Sequence, residues 1–112
     1  MDMFMSNYQE LARRTQNKDL TDGERLRHAV FGLCSEAGEV AGILQKEYQG
    51  HPVEVEHIVK ELGDCLWMIA EACDALQADL GDVAELNILK LQSRYPEGFD
   101  PGHSLHRGEG DI

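Results

Sequence analysis

Basic residues are scarce in this chain: 10 Lys and Arg stand against 21 Asp and Glu, a formal net charge of −11 over 112 residues. That balance excludes a nucleic-acid binder, which needs a basic stripe, and argues equally against docking on an anionic membrane. An anionic small molecule remains possible, provided cations accompany it. Long apolar runs are also missing. The longest, Cys65 to Ala70, has six residues, far short of the roughly 20 that a bilayer span needs. Met1 to Met5 carries an acid and no basic cluster, so no signal-peptide pattern precedes it. Cysteine is limited to Cys34, Cys65 and Cys73, an odd number with no C-x-x-C spacing. Three reduced, buried thiols in a soluble cytoplasmic protein are the expectation. Alternating β-branched runs are absent, which excludes strands as the organising element. A chain of 112 residues is one domain with a core of modest size.

What abounds is acid, and part of it is patterned. Seven pairs of acids stand at i,i+3. Two of them, Glu36 with Glu39 and Glu61 with Asp64, differ from the rest in their neighbours. On a helix each pair projects from one side. Leu33, Val40 and Ile43 surround the first pair, and Ile58, Cys65 and Met68 occupy the same offsets around the second, 25 residues on. A solvated acidic face would be ringed by polar groups and by Lys or Arg one turn away. Among the four acids only Asp64 has a basic i±4 neighbour, Lys60. Two unit charges ~4 Å apart cost about 4 kcal/mol at an effective dielectric near 20. A divalent metal is the economical source of the missing positive charge.

The surrounding pattern is helical throughout. Residues 4–16 carry Phe4, Tyr8, Leu11 and Ala12 at helical spacing, and a polar loop spans 17–23. Thr21 with Glu24 reads as a capping box for a second helix running to about Tyr48, with Leu26, Val30, Cys34, Ala37, Ala41 and Leu44 as its main stripe. Gly50 closes it, and a third helix runs from Pro52 or Val53 to about Asp79 on Val55, Val59, Leu62, Leu66, Ile69, Cys73 and Leu76. Gly81 is read as its stop, and Asp82 with Glu85 as a capping box for a fourth helix ending at Arg94, before Tyr95-Pro96. Residues 1–96 form the domain. Residues 97–112, with four Gly and one Pro, read as a loop tail, partly disordered at its end. The fold class is all-α: a four-helix, bundle-like protomer whose two long helices form an antiparallel hairpin. Glu39 lies 11 residues before Gly50 and Glu61 lies 11 after it, so the acidic pairs face one another at one level.

Three segments together carry a family resemblance: Gly32-Leu33…Glu36-Ala37-Gly38-Glu39-Val40, Lys60-Glu61-Leu62-Gly63-Asp64-Cys65-Leu66-Trp67, and Asn87-Ile88-Leu89-Lys90-Leu91…Arg94-Tyr95. Over roughly residues 8–100 the chain resembles the MazG-like nucleotide pyrophosphohydrolases, of the all-α NTP pyrophosphatase superfamily that includes dimeric dUTPases. The resemblance implies Mg²⁺-dependent hydrolysis of a nucleoside triphosphate to monophosphate and pyrophosphate. It implies Glu36, Glu39, Glu61 and Asp64 as metal ligands, Asn87, Lys90 and Arg94 near the phosphates, and a homodimer or homotetramer. Mg²⁺, or Mn²⁺ in its place, suits carboxylate oxygens and bridges phosphates. Glu39 is the candidate base for the attacking water. Lys90 and Arg94 also fit as last-turn cations complementing the helix dipole, and Asn87 as a surface polar group. Lys46 reads as a dipole partner or a phosphate contact. Trp67 reads as a base-stacking group, a core residue or an interface residue, and His28 as a structural histidine.

Two other classes compete. A carboxylate-bridged di-iron bundle wants Glu-x-x-His on each of two helices, and only Glu54…His57 fits, away from the acid level. His103 and His106 alone make no metal site. A non-catalytic helical interaction module would be marked by a lost acid in the quartet, and none is lost. Base, sugar and cellular role are not written in these residues.

Overall fold

The computed structural model describes residues 3–108. Met1 and Asp2 of the expected domain, and 109–112 of the expected tail, lie outside them. Five helices follow in order: α1 Met5–Arg13, α2 Asp22–Tyr48, α3 Val55–Ala75, α4 Leu80–Arg94 and α5 Pro101–Leu105. The described residues contain no strand, only an isolated bridge at Pro96–Gly98. The fold is all-α.

The expected capping box opens α2. Thr21 Oγ1 accepts from Glu24 N, and the Glu24 carboxylate accepts from Thr21 N. Gly50, at φ 98°, closes the helix in the left-handed conformation that glycine adopts without strain. The end of α3 departs from expectation. It stops at Ala75, and Gln77 rather than a glycine takes the positive φ, 56°. Gly81 sits inside α4, whose N-cap is Asp79, accepting from Asp82 N. The missing side chain at Gly81 admits Ser6 close by, so the glycine serves packing and not termination. The tail is not all loop: Asp100 Oδ1 accepts from Gly102 N, Pro101 stands at the first helical position where its absent N–H is not missed, and α5 forms one short turn.

α2 and α3 make the hairpin, α1 packs on α3, and α4 packs chiefly on α1. A small core of Ala12, Ala70, Cys73 and Leu80, flanked by Tyr8, Leu66, Trp67 and Ile69, sits where α1, α3 and α4 meet. Asp74 anchors that junction. Its carboxylate accepts from Gln9 Nε2 at 2.9 Å, Arg13 Nη2 at 2.8 Å and Gln16 Nε2 at 2.6 Å. Burial raises the Asp74 pKa, but hydrogen bonds from Arg13, Gln16 and Gln9 outweigh it and hold the group below its usual range.

Two expectations are corrected. The apolar stripes assigned to the long helices are not their mutual contact: Val30, Leu44, Val55, Val59 and Leu62 are exposed. The hairpin closes instead along the acid-bearing faces. The three cysteines are free as expected, yet only Cys73 is buried; Cys65 is intermediate and Cys34 exposed. Cys34 belongs to the uncovered α2 stripe, which explains its exposure.

Candidate active site

The seam between α2 and α3 is a ladder of antiparallel layers. Farthest from the turn, His28 Nδ1 lies 2.5 Å from Glu71 Oε1. Glu71 is only 1% exposed, and its Oε2 has no hydrogen-bond partner. His28 also meets Trp67 edge-on, with centroids 6.4 Å apart. One layer on, Gly32 receives Met68; a Cβ on Gly32 would collide with the thioether.

Next come the acids. Glu36, Glu61 and Asp64 each place a carboxylate oxygen within 4.8 Å of the others. Glu36 and Glu61 are half-buried and Asp64 is exposed. Glu61 Oε2 is buried without a partner, while its Oε1 lies 3.5 Å from His57 Nε2. A hydrogen bond with Glu61 raises the Glu36 pKa, reinforced by burial and by the charges of Asp64, Glu61 and Glu39. Three clustered carboxylates with one orphaned buried oxygen form an incomplete electrostatic arrangement. Hard oxygen donors in this number suit a Mg²⁺ ion that keeps several waters.

Glu39, the fourth predicted ligand, is exposed and stands outside the close triple, although its charge reaches Glu36. It borders an open cavity of about 580 Å³ between the acids and the turn, which Lys46 and His57 also line. Lys46 is therefore beside the site. Asn87, Lys90 and Arg94 are not among that cavity's lining residues; they lie on α4, Asn87 and Lys90 exposed and Arg94 half-buried. Trp67 is half-buried, and its Nε1 donates to Thr15 Oγ1 at 2.7 Å, tying α3 to the loop after α1. Tyr8 is close enough to Asp64 that, after burial, the carboxylate's charge is the second cause raising its pKa.

Sequence reasoning passed over His51 and His57 as site residues. The i−4 spacing of His57 from Glu61 was the available signal. Glu71 was hidden because its pairing with His28 spans 43 positions.

Residues 26–99 match the MazG nucleotide pyrophosphohydrolase domain family. The Gene 37 protein of Mycobacterium phage L5 is 32% identical over 89 residues, covering 75% of this chain and 78% of that protein. No solved structure matches the chain. The family match runs through both acidic pairs, the turn between them and the whole of α4, and the chain belongs to the MazG nucleotide pyrophosphohydrolase domain family.

Proposed function

We propose that the protein hydrolyses a nucleoside triphosphate, NTP or dNTP, to the monophosphate and pyrophosphate with Mg²⁺, in nucleotide-pool house-cleaning in the cytoplasm. The observation that carries this reading is the meeting of Glu36, Glu61 and Asp64 oxygens within 4.8 Å in a chain of this family. A triphosphate brings about four negative charges to a site already negative, which is untenable without cations. Mg²⁺ would be held by Glu36, Glu61 and Asp64, with Glu39 completing the set at its edge; Mn²⁺ is the natural substitute. When bound, it supplies Lewis acidity toward the phosphoryl oxygens and makes water a better nucleophile.

Glu39 is the carboxylate assigned to the proton. It is exposed and lies outside the close triple, so it can accept a proton from water attacking the α-phosphorus. The new bond joins the water oxygen to the α-phosphorus, and the bond to the bridging oxygen breaks, releasing pyrophosphate. Asn87, Lys90 and Arg94 are assigned to substrate phosphates, with Lys46 nearer the acids. Because α4 packs chiefly on α1, delivery of its cations from a second protomer fits a homodimer or homotetramer. Trp67 remains a base-stacking candidate, although its indole N–H is already engaged by Thr15.

The test is a panel of NTPs and dNTPs with Mg²⁺, scored for pyrophosphate against orthophosphate. Pyrophosphate as first product is expected, and orthophosphate would refute attack at the α-phosphorus. Glu39→Gln is expected to lower turnover by at least 10²-fold with helicity unchanged. Wild-type rates in that variant would remove Glu39 from the proton's path.

A further inference from the structure

The acid cluster is closed at one end of the seam. Away from the turn the seam is shut by Met68 seated on Gly32 and, beyond it, by the His28–Glu71 pair. Toward the turn lies the cavity of about 580 Å³, bordered by Glu39 and by His57, whose Nε2 is 3.5 Å from Glu61 Oε1. Ile43, Lys46 and His51 form the far part of its wall. This is where nitrogen donors gather beside the acids: an ammonium on Lys46 and imidazoles on His51 and His57. Lys60, by contrast, is exposed and 3.4 Å from Glu56. The backbone adds to the polarity. Glu54, the N-cap of α3, makes no side-chain cap hydrogen bond, so the positive end of a 21-residue helix borders the cavity uncapped. The opposing end of α2 is better satisfied, since the Lys46 carbonyl accepts from both Gln49 N and His51 N.

We infer that this cavity is the seat of the leaving pyrophosphate. The triphosphate then approaches the acids with its β- and γ-phosphates toward the hairpin turn. The inference rests on the pyrophosphohydrolase reading and adds an orientation and His51 to it. Glu39 and Glu54 also line the cavity and would repel a bare polyanion. The occupant is therefore the magnesium complex, with Lys46 and His51 reaching the phosphate oxygens farthest from the acids.

The test uses the full-length protein and calorimetric binding of magnesium pyrophosphate and of a nucleoside monophosphate, with Lys46→Ala, His51→Ala and the double variant. Both residues are exposed and neither belongs to the acid triple, so helicity and melting temperature should match wild type. Pyrophosphate binding is expected to weaken at least tenfold in the double variant, with monophosphate affinity within twofold of wild type. Unchanged pyrophosphate affinity, or equal losses for both ligands, would overturn the inference. The wild-type product assay separates the two readings. Pyrophosphate release together with unaltered binding in the variants would remove only the cavity assignment. Absence of any triphosphate hydrolysis would remove the parent reading, and the binding comparison would still judge the cavity.

Discussion

The carboxylates of Glu36, Glu61 and Asp64 crowd one another, and the Glu61 carboxylate above all raises the Glu36 pKa. That makes the metal-free site sensitive to pH with a definite sign. The folded-state pKa of Glu36 is raised, so the folded protein holds more protons than the unfolded chain just above the ordinary glutamate range. Its contribution to stability is present below that range and is lost as pH rises through the raised value. Asp74 acts oppositely and lower: its pKa is depressed, so its contribution is lost as pH falls below the ordinary aspartate range. Melting temperature in a chelator should therefore decline as pH climbs from the ordinary glutamate range through the raised Glu36 value. Saturating Mg²⁺ should flatten that decline, because a cation would offset the mutual repulsion of the carboxylates. An identical slope with and without Mg²⁺ would argue that these carboxylates do not meet the ion.

The long helices show what was legible in the chain and what was not. Equal distances of Glu39 and Glu61 from Gly50 predicted a common level; Glu36, Glu61 and Asp64 converge, while Glu39 stands outside the close triple. Periodicity could not say which apolar stripe closes the hairpin, because a stripe covered by its own partner helix and one left uncovered have the same spacing. Nor could it see that Gln77, not Gly81, takes the left-handed turn after α3. Two glycines on α2 provide an element-scale test. Gly38 has nothing near a prospective Cβ, so Gly38→Ala should stabilise by about 0.5–1 kcal/mol through helix propensity alone. Gly32→Ala gains the same propensity but must displace Met68, and overpacking costs about 1–3 kcal/mol. Thermal or urea melts should order the variants as Gly38→Ala, wild type, Gly32→Ala, and the reverse order would contradict the Gly32–Met68 layer. The α1–α3 junction has its own test. Asp74→Ala strands Gln9, Gln16 and Arg13 at a nearly buried carboxylate site and should cost roughly 2–3 kcal/mol.

At the scale of the whole molecule the chain is extended for its length. Its radius of gyration is 17.1 Å, where a compact chain of this length would have roughly 13 Å. Its accessible surface is 8453 Å², against roughly 6200 Å² for a compact monomer of this mass. The excess, roughly 2000 Å² per chain, matches what each partner of an obligate homodimer contributes. It is apolar where the long helices were expected to be covered: Val30 is 44% exposed, Val59 58% and Leu62 53%. On α4, Leu86 and Leu89 are likewise exposed. No helix among the described residues is long and apolar enough to cross a membrane, so the stripes are not a spanning segment. A second copy is the occupant that fits: it would cover both stripes and bring another α4, with Lys90 and Arg94, toward the acid cluster. Wild-type protein should therefore sediment as a dimer or tetramer at micromolar concentration. Val30→Asp, which places a charge in the uncovered α2 stripe outside the acid triple, should shift it toward monomer and lower triphosphate turnover at least tenfold. Adding protein should restore activity in proportion to the associated fraction. A wild-type monomer with full activity would defeat the assembly, leaving the acid cluster to act within one chain.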